Sequence, residues 1–332
     1  MINAVVIRET GLDAKGRPTR SAALEQVEED FLGEGDVTVE VHFSSLNYKD
    51  GLALTGRPGV VRTTPLIGGI DVAGTVRDST NPRWSPGDPI VLNGAGMSET
   101  RHGGLTTVAK IDGALAVSPG SFSLAEAAAI GTAGYTAALC ALKLTGAGVT
   151  PEDGPVLVTG ATGGVGTVAI MILATLGFEV HASTGRIEQH GELLTDLGAS
   201  HLIARAELSE PGRPLQKATW AGVVDSVGGT VLANAIAQTK PGGVVAACGL
   251  AGSADLPATV MPFILRGVTL AGADSVWAPL ESRQQAWRIL GETVNLTQLE
   301  SLTTTVPLAE SISAAEALLA GRSHGRTLVA VR

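Results

Sequence analysis

The sequence predicts an α/β chain of two domains, one mostly β and one built on a doubly wound parallel sheet. Three observations predict it. Short strand-like runs broken by Gly, Pro, Asn and Asp fill the chain up to about residue 120. From Leu124 onward Ala-rich helical segments alternate with apolar strands at α/β spacing. Between them, Val156–Gly166 passes from a β-type run through a glycine-rich turn into an apolar helical run.

The first part supplies strands at Ala4–Ile7, Val37–Phe43, Ile70–Val76 and Pro89–Leu92. Ser123 is positioned to N-cap the helix that starts at Leu124. The parallel strands are expected at Val156–Thr159, Glu179–Ser183, His201–Ala204, Gly222–Ser226, Val244–Gly249 and Val268–Gly272. After Pro279 come an amphipathic helix around Arg283–Leu290, a strand at Leu302–Val306, a helix through Ala309–Leu319 and a strand at Arg326–Val331. This tail is expected to return to the N-terminal domain; the alternative is that it extends the parallel sheet.

A chain of 332 residues, 44% apolar and 17% charged, can bury two cores. Its net charge of −9 argues against a nucleic-acid groove or an anionic membrane surface, so an anionic ligand needs a local basic pocket. The N-terminus lacks a charged-then-apolar signal pattern and no apolar run approaches bilayer length, which points to the cytoplasm. The two cysteines, Cys140 and Cys248, read as small buried hydrophobes rather than metal ligands or a disulfide.

The turn at Val156–Gly166 reads as a dinucleotide pyrophosphate site, because a helix N-terminus after a buried strand presents unpaired N–H groups to a diphosphate. Ala161, Gly163 and Gly166 take the places of a G-x-G-x-x-G motif, with alanine for the first glycine. About twenty residues on, where a carboxylate would bind a ribose 2′-hydroxyl, the chain has Ser183-Thr184-Gly185-Arg186. Hydroxyls and a planar cation suit a 2′-phosphate, so the expected cofactor is NADPH.

Ser44–Asp50, Pro65–Val76, Gly103-Gly-Leu105 and Ile130–Ala137 together resemble the medium-chain dehydrogenase/reductase superfamily. With Cys248–Gly252, Val260–Arg266 and Gly325–Val329 the resemblance narrows to its zinc-independent acrylyl-CoA reductase subfamily, which is quinone oxidoreductase-like. The blocks span nearly the whole chain. The resemblance implies a GroES-like catalytic domain of residues 1–124 and 300–332 and a Rossmann domain of residues 125–299. It also implies a homodimer, with Val268–Gly272 as a candidate edge strand.

Zinc-dependent relatives carry a metal-binding Cys where this chain has Asn47, and Gly-His-Glu where it has Gly69-Ile70-Asp71. No metal is therefore expected. The resemblance implies NADPH-dependent reduction of the carbon–carbon double bond of acrylyl-CoA to propanoyl-CoA, with a CoA thioester as the small-molecule partner. Tyr48 is the candidate proton donor or oxygen-polarising group, or packs against the nicotinamide, and Asn47 supports it. Lys49 and Asp50 read as a solvated ion pair.

Cofactor contacts are expected, by resemblance, from Tyr48, Thr132, Thr162, Gly163, Gly164, Val165, Ser183, Thr184, Gly185, Arg186, Arg205, Leu250, Ile264 and Ser275. Gly321 stands where relatives carry an asparagine that contacts cofactor, so that contact is missing. The CoA phosphates need cations, for which Arg57, Arg62, Arg83, Arg101, Arg322 and Arg326 are candidates. The alternatives are a quinone or alkenal reductase on the same fold and a non-catalytic NADPH-binding regulatory protein.

Overall fold

The computed structural model describes residues 1–332 and divides into two compact units. The first comprises Met1–Thr132, Ser275–Trp287 and Leu299–Arg332; the second comprises Ala133–Asp274 and Arg288–Gln298.

In the first unit, β1 (Ile2–Leu12), β2 (Pro18–Val27) and β4 (Leu66–Ile67) form an antiparallel sheet in the order β2-β1-β4. Over Ala4–Ile7 both faces of β1 are buried. Val5 and Ile7 join the main core, while Ile2, Ala4 and Val6 close a smaller one against Val27, Leu32, Ile67 and Val108. The main sheet centres on β3 (Val37–Leu46), whose Val-x-Val-x-Val alternation buries Val37, Val39 and Val41 completely. Each such valine is worth roughly 1.5–3 kcal/mol of burial. On one side β3 pairs with β5 (Asp71–Ser79), which pairs with β6 (Pro89–Asn93). On the other it pairs through Val37–Glu40 with β7 (Val108–Ile111). The helix α1 (Tyr48–Leu54) follows β3 directly.

The helix α2 (Leu124–Gly146) starts where Ser123 caps it: the Glu126 N–H donates to Ser123 Oγ, and the Ser123 N–H donates to the Glu126 carboxylate. By length and composition α2 could cross a bilayer, contrary to the expectation that no apolar run is long enough. However, 89% of its apolar window is buried within the fold, and the helix is broken at Gly131.

The second unit holds six parallel strands: β8 (Val156–Thr159), β9 (Val180–Thr184), β10 (Ala199–Ala204), β11 (Trp220–Asp225), β12 (Thr239–Ala247) and β13 (Thr269–Gly272). Their order, β10-β9-β8-β11-β12-β13, reverses direction at β8, as in a Rossmann sheet. All six expected strands are present, and β13 is an edge. Helices α3 (Gly164–Thr175) and α4 (Ile187–Asp196) follow β8 and β9. Cys140 on α2 and Cys248 after β12 are neighbours and free thiols. Their mutual hydrogen bond and burial raise the Cys140 pKa well above that of an ordinary thiol, which suppresses its reactivity.

The tail forms β14 (Thr303–Pro307) and β15 (Arg326–Ala330). β15 lies between β14 and the Phe43–Leu46 end of β3, so the tail completes the first sheet rather than the parallel one.

The first unit also takes residues 125–132 and 275–287, which the domain limits of 124 and 299–300 assign to the other domain. The physical reason is polar. Thr132 donates to Asp71 through both its N–H and its hydroxyl. The fully buried Arg283 donates to the carbonyls of Asn93, Val276 and Ala278.

Gly131, with φ of +49°, lets the chain pass this point: a Cβ there would stand 2.6 Å from Arg326 Nη2 and 2.8 Å from Asp71 Oδ2. Gly131→Ala is expected to destabilise the protein by roughly 2–4 kcal/mol. Urea denaturation checks this, and a loss below about 0.5 kcal/mol would show that the break is not required.

Candidate active site

The candidate residues gather in two sets, one in each unit. In the second unit the turn after β8 places Gly160 at φ +61° against Ser226 Oγ and packs Gly166 against the Gly160 carbonyl and Ala161. The tight-turn glycine is therefore Gly160, one position before the Ala161 of the expected motif. Ala161 is buried and has no need of a left-handed backbone. Gly163 is the N-cap of α3 in extended conformation, and no side chain caps the helix. The amides of Gly164, Val165 and Gly166 consequently begin a helix whose first donors lack intrahelical acceptors, as a diphosphate requires.

Thr159 Oγ1 donates to the buried Asp225 carboxylate at 2.6 Å, and Asp225 also accepts the Gly228 N–H at 2.8 Å. These bonds oppose the burial that raises the Asp225 pKa. They lock the C-terminal ends of β8 and β11 together where the sheet order reverses.

Beside that turn, Arg186 Nη2 donates to Thr162 Oγ1 at 2.7 Å, and the Arg186 N–H donates to Thr184 Oγ1 at 3.1 Å. Arg205 lies against Gly185, with its guanidinium carbon 2.9 Å from where a Gly185 Cβ would stand. Thr162, Thr184, Gly185, Arg186 and Arg205 thus converge at the C-terminal ends of β8–β10, while Ser183 is buried within β9. Two guanidinium groups and two hydroxyls fit the doubly charged phosphate of a 2′-phosphorylated dinucleotide. Leu250 and Ile264, also in the second unit, are exposed, Ile264 at 72%. Thr132 and Ser275 belong to the first unit.

In the first unit, Tyr48 opens α1 and remains 44% exposed. Directly before it, Asn47 is buried, and its amide is fully engaged. Nδ2 donates to Asp50 at 3.0 Å and to Asp71 at 2.8 Å, while Oδ1 accepts from Arg326 at 3.3 Å. Asn47 therefore supports Tyr48 by position and does not present a free polar atom.

Asp71 collects five donors, from Ser45, Asn47, Asn93 and the two groups of Thr132. Residues at the family's metal positions are thus bonded to one another. An amide, an isoleucine and a carboxylate do not fit a structural or catalytic zinc.

Three sequence expectations change here. Asp50 is not part of a solvated pair: it is completely buried and accepts the N–H groups of Asn47 and Ile70. Lys49 pairs instead with Glu99. Arg326 is not available to substrate phosphate, being buried and donating to the carbonyl of Ala129, to Asn47 and to Ser45. Arg83 is held by the carbonyls of Gly113, Ala114 and Ala116, and Arg101 pairs with Asp112. His102 is a structural loop residue whose Nδ1 accepts the Ile67 N–H and whose ring lies on Phe31.

Sequence reading passed over Asp71 as a hub, Arg283 as a buried strut, and the cluster of Glu179, His181 and His201. In that cluster potential ligand atoms lie within 4.8 Å of one another. Trp220 donates to His181 Nδ1 at 3.3 Å, so the neutral ring carries its hydrogen on Nε2 and donates it to Glu179 at 2.9 Å. The lone pair a metal would need is already used.

Residues 33–140 match the alcohol dehydrogenase GroES-like domain, and residues 164–290 match the zinc-binding dehydrogenase family. The chain is 48% identical over 311 residues to the probable acrylyl-CoA reductase AcuI of Escherichia coli (strain K12), covering 93% of this chain and 95% of that protein. It is 44% identical to the acrylyl-CoA reductase AcuI of Ruegeria pomeroyi, covering 100% and 99%. With the putative quinone oxidoreductase YhfP of Bacillus subtilis it shares 41% identity, covering 93% and 94%. The crystal structure of the yhdH oxidoreductase from Salmonella enterica in complex with NADP superposes with a TM-score of 0.95 at 44% identity, covering all of both chains.

Two outcomes are expected. Arg186→Ala should raise KM for NADPH at least tenfold while leaving KM for NADH nearly unchanged; equal losses for both would remove Arg186 from phosphate recognition. The second concerns Asp50, whose pKa is pushed up to about 7, first by burial and then by Asp71. Folded Asp50 keeps its proton up to about pH 7, whereas the unfolded carboxyl releases it near pH 4. The folded chain binds the extra proton between these values, so this group's contribution to stability falls as pH rises from about 4 to 7 and then levels off. Thermal melts of Asp50→Asn should lack that fall; parallel wild-type and variant curves would refute the assignment.

Proposed function

Because the chain belongs to the medium-chain dehydrogenase/reductase family, we propose that it is an NADPH-dependent acrylyl-CoA reductase producing propanoyl-CoA. The observation that carries this reading is the full-length likeness to proteins named acrylyl-CoA reductase. The phosphate-suited cluster of Thr162, Thr184, Arg186 and Arg205 supports the choice of cofactor.

When bound, NADPH supplies a hydride to the substrate β-carbon. Charge then gathers on the thioester oxygen, and the α-carbon takes a proton. Tyr48 is the residue assigned to that stage, as hydrogen-bond donor to the oxygen or as proton source; its side chain is not buried in the core. Asn47, Asp50 and Asp71 hold the start of α1 in place, and Asn47 acts through Tyr48. Gly163, Gly164 and Val165 receive the pyrophosphate, and Leu250 and Ile264 of the same unit complete the cofactor site.

The domain reading is that residues of the GroES-like part act on substrate and residues of the Rossmann part hold cofactor. A cytoplasmic homodimer joined through the β13 edge belongs to the same proposal, because β13 leaves one side of its backbone unpaired by the sheet. A quinone reductase is the second reading, favoured by the 41% identity to YhfP.

The test measures NADPH oxidation with acrylyl-CoA and a simple quinone in parallel, with product analysis. Rapid formation of propanoyl-CoA is expected; turnover of quinone without it would overturn the substrate. Tyr48→Phe should lower kcat by about 10²–10⁴-fold. Near-normal turnover would end the proton-transfer role.

A further inference from the structure

The chain carries a net charge of −9, yet the twenty residues from Gly51 to Ile70 contain Arg57 and Arg62 and no acidic residue. The acids that bound this segment, Asp50 and Asp71, are buried in the polar network and cannot screen it at the surface. Val60 and Val61 are buried and anchor the loop, while both arginines face solvent, Arg62 with 71% of its side chain exposed. One acid reaches the segment. Glu99 accepts from Lys49, approaches Arg62 Nε at 4.0 Å, and receives the Arg62 N–H on its carbonyl at 2.9 Å. It ties the loop to the residue next to Tyr48.

A third arginine joins from another element. A Cβ on Gly56 would overlap the Arg20 carbonyl and stand 3.6 Å from the Arg20 Cα, so β2 runs directly beside the turn that carries Arg57. Arg20 Nε is buried and donates to nothing. Its cross-strand neighbour on β1 is Glu9, and the two form no ion pair. A buried guanidinium N–H without an acceptor, on a strand whose backbone lies against the turn that carries Arg57, has a donor to offer an anion.

We propose that Arg20, Arg57 and Arg62 form the docking site for the phosphate groups of the CoA moiety, with Glu99 as the positioning residue that sets Arg62 beside the Tyr48 end of α1. The identity of the ligand rests on the acrylyl-CoA reading. Of the other candidate arginines in the first unit, Arg83, Arg101 and Arg326 are held by protein acceptors, while Arg322 is exposed. Lys49 and Arg62 share the single carboxylate of Glu99, so the group formed with Arg20 and Arg57 keeps a surplus of positive charge.

Calorimetric titration with CoA, with pantetheine and with inorganic pyrophosphate tests the site without needing turnover. The wild type should bind CoA at least tenfold more tightly than pantetheine, which has the same arm without the nucleotide phosphates. In Arg57→Ala/Arg62→Ala that advantage should shrink to about twofold, with Arg62→Glu alone, a surface change that spares the core, giving the same direction. KM for acrylyl-CoA should rise with it while KM for NADPH stays unchanged. Unaltered CoA affinity in these variants overturns the inference. So does equal binding of CoA and pantetheine by the wild type, or pyrophosphate bound as tightly as CoA, which would mark a general anion surface. Arginine-dependent CoA binding in a protein that does not reduce acrylyl-CoA would leave the docking site standing and remove the reductase reading.

Discussion

The Asp71 carboxylate, buried and surrounded by donors from four separate segments, is the constraint on which the first unit is arranged. Ser45 comes from β3, Asn47 from the start of α1, Asn93 from the end of β6 and Thr132 from the far side of the break in α2. A carboxylate taken out of water is costly unless its lone pairs are filled, and here every segment that fills them is fixed by doing so. Arg326 adds positive charge from β15 through Ser45 and Asn47; burial lowers its pKa, and Asp71, with Asp50 after it, opposes that shift. The tail of the chain is thereby tied to the residues that carry Tyr48.

This network joins a carboxylate, a guanidinium, amides and hydroxyls, and it fixes the start of α1 without a metal ligand set. Asn47 is the link: one side chain bridges two acids and an arginine, so the backbone at Tyr48 is defined from three directions. Burial, and after it the neighbouring Asp71 carboxylate, keep the Asp50 proton in place to near neutrality. Arg57 and Arg62, by contrast, face solvent.

The second unit solves a different problem. Its candidate phosphate site is made of backbone amides and a glycine turn whose shape is local, so the stretch from Val156 to Gly166 was legible in sequence, as were the six strands. The choice of glycine was not. A motif template puts alanine in the first place, but the left-handed residue is Gly160, because the Ser226 side chain crowds that point from a neighbouring strand. Arg186 and Thr184 were also readable, since both lie at the end of one strand. That Thr162 completes the cluster depends on β8 and β9 being paired.

Sequence alone determined the features that periodicity and local chemistry set: the strands, the Ser123 cap, the diphosphate turn, the hydroxyl-and-arginine end of the second strand, and the family. Tertiary structure decided which charged residues are free to act. Arg83 and Arg326 look available to a ligand in sequence because their acceptors lie tens to hundreds of residues away, and Asp50 looks solvated because the fold, not its neighbours, buries it and brings the Ile70 N–H to it. Arg20 shows the converse: its place beside Arg57 exists only because β2 packs against the turn at Gly56. Covalent neighbours set backbone preference, whereas the availability of a charge is set by what the fold brings within hydrogen-bonding distance.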